Sequence, residues 1–226
     1  VSHCLLNEIF YCECAVCNDL IDVGSYLCGS CIKKLPYVKN VCFSCGYPLE
    51  VETVYCRNCF NKNNYDFLYI PFWYTGVIKK LLKDIKFRYG VREIYFLKEL
   101  VPLLNYNFLK YDVVVPVPSH IIRKLRRFRH PVDIISAALA DKYNIPKKDV
   151  LVRRKNTEYQ WQLKKKNRET NLKNAIGLKT SVYKLNILLI DDILTTGSTI
   201  NECARVLKKG GASKVDCFVL SKGVFI

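Results

Sequence analysis

The sequence predicts an α/β chain, a parallel sheet flanked by helices, preceded by a small cysteine-rich double zinc ribbon. Three observations carry this expectation. Ile187-Leu-Leu-Ile190 is an unbroken apolar run that leads through Asp191-Asp192 and a small-residue loop into helical spacing. Tyr111-Asp-Val-Val-Val-Pro116-Val-Pro118 is a second β-branched run, followed by its own helix. Runs this short and apolar suit strands buried on both faces, as in parallel sheets. Third, eight cysteines near the N-terminus form four C-x-x-C pairs. Residues 1–62 are read as the ribbon domain and 65–226 as the α/β domain.

The cysteines come first in the chain. The pairs Cys14/Cys17, Cys28/Cys31, Cys42/Cys45 and Cys56/Cys59 each begin 14 residues after the one before. Flanking residues show a longer period. Cys14-Ala-Val-Cys17 with Leu20 parallels Cys42-Phe-Ser-Cys45 with Leu49, and Leu27-Cys28-Gly-Ser-Cys31 parallels Tyr55-Cys56-Arg-Asn-Cys59, a repeat of 28 residues. Four thiolates at this spacing suit a tetrahedral zinc ion. The repeat favours two structural ions held sequentially, one by Cys14, Cys17, Cys28 and Cys31, the other by Cys42, Cys45, Cys56 and Cys59. Cross-bracing and an iron–sulfur cluster remain alternatives. Cys4 and Cys12 read as ordinary residues, and Cys203 and Cys217 as core.

Asparagines between 58 and 64 read as a linker, and Phe67–Tyr74 as a strand. Helical spacing of Val77, Ile78, Leu81, Leu82 and Ile85 predicts a helix over 75–88, with lysines on its other face. A second helix is expected over 92–104. The strand at 111–117 then ends in Ser119, His120 and the cations Arg123, Lys124, Arg126, Arg127 and Arg129. Cations at the carboxyl end of a buried strand form an anion site where ligands of open α/β sheets bind. Pro131 opens the next helix, through Tyr143. The polar stretch 155–173, with Trp161 among lysines, reads as a lid or a surface excursion.

The 187–199 stretch specifies the most chemistry. Ile200, Cys203, Ala204 and Leu207 mark a helix that Gly210-Gly211 ends. Its N-terminus, with Thr195, Thr196, Gly197, Ser198 and Thr199, offers backbone N–H groups, hydroxyls and the positive helix end to an anion. Asp191 and Asp192 would repel a phosphate and suit sugar hydroxyls or magnesium beside it. A strand ending in two acids also occurs in P-loop NTPases, but G-x-x-x-x-G-K-[ST] is absent: the only glycines five apart, Gly24 and Gly29, are followed by Ser30. The last strand is expected over 215–220.

Composition sets the outer bounds. The chain has 226 residues, half of them hydrophobic, enough for a sizeable core. No apolar run approaches the roughly 18 residues of a membrane span, so no membrane insertion is expected. No stretch reads as a signal peptide, and a cytoplasmic location is expected. The net charge is +16, of which +11 falls between Lys110 and Lys173. Such a segment favours polyanions: pyrophosphate-bearing substrates or nucleic acid.

The 187–199 stretch resembles the phosphoribosyl-pyrophosphate (PRPP) motif of type I phosphoribosyltransferases. Val115–Pro118, His120 and the tract 123–127, with Thr157, Gln160, Leu163, Arg168 and Asn171, extend the resemblance to the ComF family of bacterial competence proteins, zinc region included. The pattern departs at Arg126-Arg127-Phe128-Arg129-His130, where the family usually carries Arg-Gly-Phe-Asn-Gln. The resemblance implies a type I phosphoribosyltransferase-like sheet, with Thr195–Thr199 holding the 5′-phosphate and Asp191 and Asp192 holding the ribose hydroxyls as catalytic residues. Ser119, His120, Arg123, Arg126 and Arg127 would face pyrophosphate, bridged by magnesium. It further implies a role in DNA uptake and natural transformation, binding single-stranded DNA on the basic face and meeting DNA-uptake channel or helicase proteins. A catalytically active phosphoribosyltransferase acting on a nucleobase or related acceptor is the alternative. An adaptor with a vestigial PRPP site is a third.

Overall fold

The computed structural model describes residues 12–22, 24–49, 55–56, 63–87, 91–118, 130–153 and 175–223. Cys4, Cys59, the anion tract 119–129 and the lid stretch 155–173 lie outside them.

A five-stranded parallel sheet organises the C-terminal part. Strands β3 (Phe67–Tyr69), β5 (Val113–Pro116), β8 (Asn186–Leu194) and β9 (Lys214–Lys222) stand in the order β3-β9-β8-β5, and β4 (Phe72–Trp73) pairs with β9 beyond β3. The break between β3 and β4 falls at Ile70-Pro71, where proline has no N–H for the ladder. β5 and β8 register Val113 on Ile187 and Pro116 on Ile190.

The apolar runs alternate between two cores, as strands buried on both faces must. Val113, Val115, Ile187, Leu189, Val215, Cys217 and Val219 face one core. Val114, Leu188, Ile190, Phe218 and Leu220 face the other. Helices α2 (Gly76–Phe87), α3 (Val91–Leu103) and α4 (Pro131–Tyr143) cover the second core. The α2 residues Val77, Ile78, Leu81, Leu82 and Ile85 are all buried, as their spacing predicts. Helix α5 (Ser198–Lys209) covers the first core with Ile200, Cys203, Ala204 and Leu207. Burial of each such side chain stabilises the fold by roughly 1.5–3 kcal/mol.

Two differences from the expected elements bear on the site. The strand read over 187–190 continues to Leu194, because β9 runs on to Lys222 and pairs with Asp191, Ile193 and Leu194. The acidic pair therefore lies within β8. A short antiparallel hairpin, β6 (Leu151–Arg153) with β7 (Ile176–Leu178), frames the stretch expected to be a lid.

The ribbon region shows its 28-residue repeat in backbone bonds. Cys14 N–H donates to Asp19 O at 2.8 Å, and Cys42 N–H donates to Tyr47 O at 2.9 Å. Asn18 and Gly46, at matching positions, take left-handed φ of 64° and 67°. The first half adds the hairpin β1 (Cys12–Glu13) and β2 (Leu20–Ile21) and the short helix α1 (Gly29–Lys33).

Ribbon and sheet share a core. Cys14, Ala15, Leu27, Cys31 and Leu35 pack in the same cluster as Phe72 and α2. Val38 N–H donates to Pro71 O, and Trp73 N–H to Pro36 O. The stretch read as a linker takes part too, for Asn63 donates to Ser44 and Asn64 to Asn201 of α5.

Candidate functional site

The carboxyl edge of β8 brings Asp191, Asp192 and Thr195–Thr199 onto one continuous stretch of chain. Gly197 sits at the N-cap of α5 with φ of 79°. An added Cβ would find 3.6 Å to Leu194 Cδ1, ordinary contact, so backbone conformation rather than space calls for glycine there. The Thr196 and Ser198 hydroxyls lie 2.9 Å apart, and Ser198 N–H donates to Thr196 Oγ1. Thr195 and Thr196 are exposed. The first amides of α5 have no partner one turn back within the helix, which leaves an open cradle at its positive end.

The two acids differ. Asp191 accepts from the Asp192 backbone N–H at 2.9 Å. Burial, then the neighbouring Asp192 charge, pushes its carboxyl up to about 7. The Asp192 carboxylate meets Lys86 Nζ at 2.5 Å, with side chains 9% and 15% exposed. Tyr74 stands near enough for burial and the Asp192 charge to raise its hydroxyl. Sequence reasoning placed Lys86 on a solvated helix face. Its position two residues after buried Asp84, beside Ile85 at the end of the apolar stripe, was the available signal.

Beside this edge, Val117 N–H donates to Ile190 O at 2.9 Å, so the end of β5 lies against the acidic pair. A cleft of about 240 Å³ opens at the end of β5, lined among others by Pro118, His130, Asp133, Arg153 and Lys179 and by none of Asp191, Asp192 or Thr195–Thr199. The stretches 119–129 and 154–174 both leave the described chain on its wall, at Pro118 and Arg153. Ser119, His120, Arg123, Arg126 and Arg127 lie outside the described residues.

The cysteines gather by neighbouring pairs. The Sγ atoms of Cys14, Cys17, Cys28 and Cys31 lie within 4.8 Å of one another, as do those of Cys42, Cys45 and Cys56. Cys59 lies outside the described residues. A tetrahedral ion with metal–sulfur bonds of about 2.3 Å requires sulfur–sulfur edges near 3.8 Å. Cys17 and Cys28 are 3.6 Å apart, and Cys45 and Cys56 are 3.8 Å apart. Donor set and spacing thus suit zinc. The Ser30 hydroxyl, then the Cys31 backbone N–H, lower the Cys28 thiol to about 6, while burial, then the contact with Cys28, raises the Cys31 thiol to about 11.

The first knuckle of each cysteine set is moored to the α/β part by a lysine. Lys80 of α2 donates to Val16 O. Lys222, at the end of β9 and 2% exposed, donates to Cys45 O at 2.9 Å. A Cβ at Gly46 would come 2.5 Å from Ile70 Cδ1 and 2.9 Å from Lys222 Cδ, so the knuckle of Cys42 and Cys45 seats tightly.

Comparison with known proteins agrees with this division. Residues 5–60 match the double zinc ribbon domain family, and residues 114–223 match the phosphoribosyl transferase domain family. The competence protein ComFC of Bacillus subtilis is 31% identical over 215 residues, covering 89% of this chain and 86% of that protein. The chain belongs to the ComF family. Competence protein F of Haemophilus influenzae is 29% identical over 235 residues, covering 96% of this chain and all of that protein. The DNA utilization protein YhgH of Escherichia coli K12 is 25% identical over 225 residues, covering 92% and 96%. The ComF assignment joins the two halves seen in the fold, a parallel α/β sheet and a cysteine-rich ribbon packed into its core. Among the described residues, no helix is long and apolar enough to cross a membrane.

Proposed function

We propose that the chain binds PRPP at the carboxyl edge of β8 and handles single-stranded DNA during DNA uptake. The carrying observation is the continuous stretch from Asp191 to Thr199: two carboxylates at the end of β8, then a glycine-capped helix N-terminus. In this reading Thr195–Thr199 hold the 5′-phosphate through hydroxyls and backbone N–H groups. Asp191 and Asp192 accept from the ribose hydroxyls. Ser119, His120, Arg123, Arg126 and Arg127 face pyrophosphate and its magnesium. The zinc ions, held by the two cysteine sets including Cys59, are structural and brace the carboxyl edge through Lys222 and Lys80. The names of the relatives, competence and DNA utilization proteins, support DNA as the macromolecular partner, and the +11 segment 110–173 supplies the charge. Uptake-channel or helicase proteins in the cytoplasm are the corresponding protein partners.

The test is fluorescence anisotropy of a labelled single-stranded oligonucleotide across a salt series, with and without PRPP and magnesium. Affinity should fall steeply with salt, in proportion to the phosphates neutralised. Affinity unchanged from low to high salt contradicts the electrostatic reading. Pyrophosphate release in the same mixtures identifies turnover: release on adding a nucleobase makes the chain an active transferase, and none leaves it a PRPP-binding protein.

A further inference from the structure

Helix α2 carries four lysines, and they have separate fates. Lys79 and Lys83 are exposed. Lys80 is bound to the Val16 carbonyl. Lys86 alone among the four turns to the sheet edge, where its Nζ meets Asp192 Oδ2 at 2.5 Å. Taking an ammonium and a carboxylate out of water costs several kcal/mol per ion, recovered only with good geometry. A helix whose other face is solvated could have left this lysine in water. The pair stands beside Asp191, and it stands where the proposed ligand's ribose would lie.

Charge decides what such a pair of acids can hold. Two ionised carboxylates at one sheet edge would offer hard oxygens to a divalent cation. One ammonium clamped on Asp192 halves that charge and occupies one oxygen. What remains is a set of acceptors oriented by a fixed cation, suited to neutral hydroxyl donors. We propose that Lys86 is the positioning residue of the acidic pair, holding Asp192 so that the pair accepts a sugar diol and declines a free divalent cation. This rests on the reading that the pair meets the ribose of PRPP. Magnesium then arrives on the pyrophosphate and does not wait at the acids.

Two titrations test this on the full-length, zinc-loaded protein, with circular dichroism confirming that each variant is folded. The first compares ribose 5-phosphate with inorganic phosphate. Lys86→Met should weaken ribose 5-phosphate by about tenfold or more, the scale of a lost charged hydrogen bond. It should leave phosphate within about twofold, since Thr195–Thr199 are untouched. Lys86→Arg should restore most of the loss. The second follows manganese binding by electron paramagnetic resonance without ligand. Lys86→Met should gain one manganese site, and Lys86→Met with Asp192→Asn should lose it again. An ion pair with only a structural role predicts neither the sugar-specific loss nor the gained metal site. If the native chain binds ribose 5-phosphate and Lys86→Met leaves both readouts at their native values, the role of Lys86 is overturned. If the native chain binds neither PRPP nor ribose 5-phosphate, the ligand reading itself falls.

Discussion

The β8–β9 pair presents carboxylates to cations at both of its ends, and the two ends are balanced differently. At the amino edge, fully buried Asp216 accepts from the Tyr111 hydroxyl, and its Oδ2 lies 3.2 Å from Lys214 Nζ and 3.8 Å from Lys110 Nζ. One carboxylate has two cations and a hydroxyl. Burial, then the bond to Asp216, drives the Tyr111 hydroxyl far above the ordinary tyrosine range. At the carboxyl edge the ratio inverts: Asp191 and Asp192 share Lys86. The first arrangement gathers two cations and a hydroxyl on Oδ2 of one carboxylate and leaves buried Oδ1 without a partner. The second keeps unmet acceptor capacity and a carboxyl raised to about 7, features that mark functional sites. The two edges thus differ in how many cations each carboxylate meets.

The largest expected effect sharpens this contrast. Removing metal with a chelator under reducing conditions should unfold the ribbon, since such modules have too little core to stand alone. Both lysine moorings would then be released. Hydrogen exchange should rise at α2 and at the end of β9, while the Tyr111–Asp216 edge stays protected. Equal loosening at both edges would break the distinction.

Asp216→Ala comes next. It strands a buried tyrosine and two lysine ammoniums. Removing one partner of a buried ion pair costs about 3–5 kcal/mol, although the exposed stems of Lys110 and Lys214 place this one toward the lower end. Urea unfolding measures it. Asp192→Asn should destabilise less, because only one cation loses a partner, yet it should cost more in ligand affinity. Tyr111→Phe, which removes the bond to charged Asp216 and the 3.3 Å contact with the Tyr69 hydroxyl, should cost about 1.5–3 kcal/mol.

A further expectation is one of pH. The folded chain holds a proton on Asp191 up to about 7. An unfolded aspartate releases it near pH ~3.9. The folded state therefore binds more protons between these values. The Asp191 contribution is fully present below the lower value and is lost as pH rises through about 7. Affinity for ribose 5-phosphate should move the opposite way, strengthening as the carboxylate form appears. Asp191→Asn should flatten both profiles. A slope unchanged in that variant assigns the titration to another group.

Sequence legibility followed the range of the interactions. The turn from β8 into α5 was readable from thirteen contiguous residues, because apolar run, acids, glycine and helix spacing are all local signals. The α2 stripe was readable for the same reason, and its five expected apolar positions are all buried. The cysteine repeat gave the grouping by neighbouring pairs, since each knuckle is one local turn. The extension of β8 past Ile190 was not readable, because it depends on a partner strand that buries the polar residues Ser221 and Lys222. The hairpin of β6 and β7 has only three residues per strand and no sequence-local turn. Lys86 escaped notice because the carboxylate that turns it inward lies on another element.

The central claim is that the β8 edge is a PRPP site. Isothermal titration of PRPP with magnesium into the zinc-loaded protein tests it most directly, run beside Asp191→Asn and Asp192→Asn variants shown to be folded. The expected result is one site per chain, displaced by ribose 5-phosphate and weakened by about tenfold or more in each variant. No heat with the native chain, or equal binding by the native chain and both variants, would contradict it.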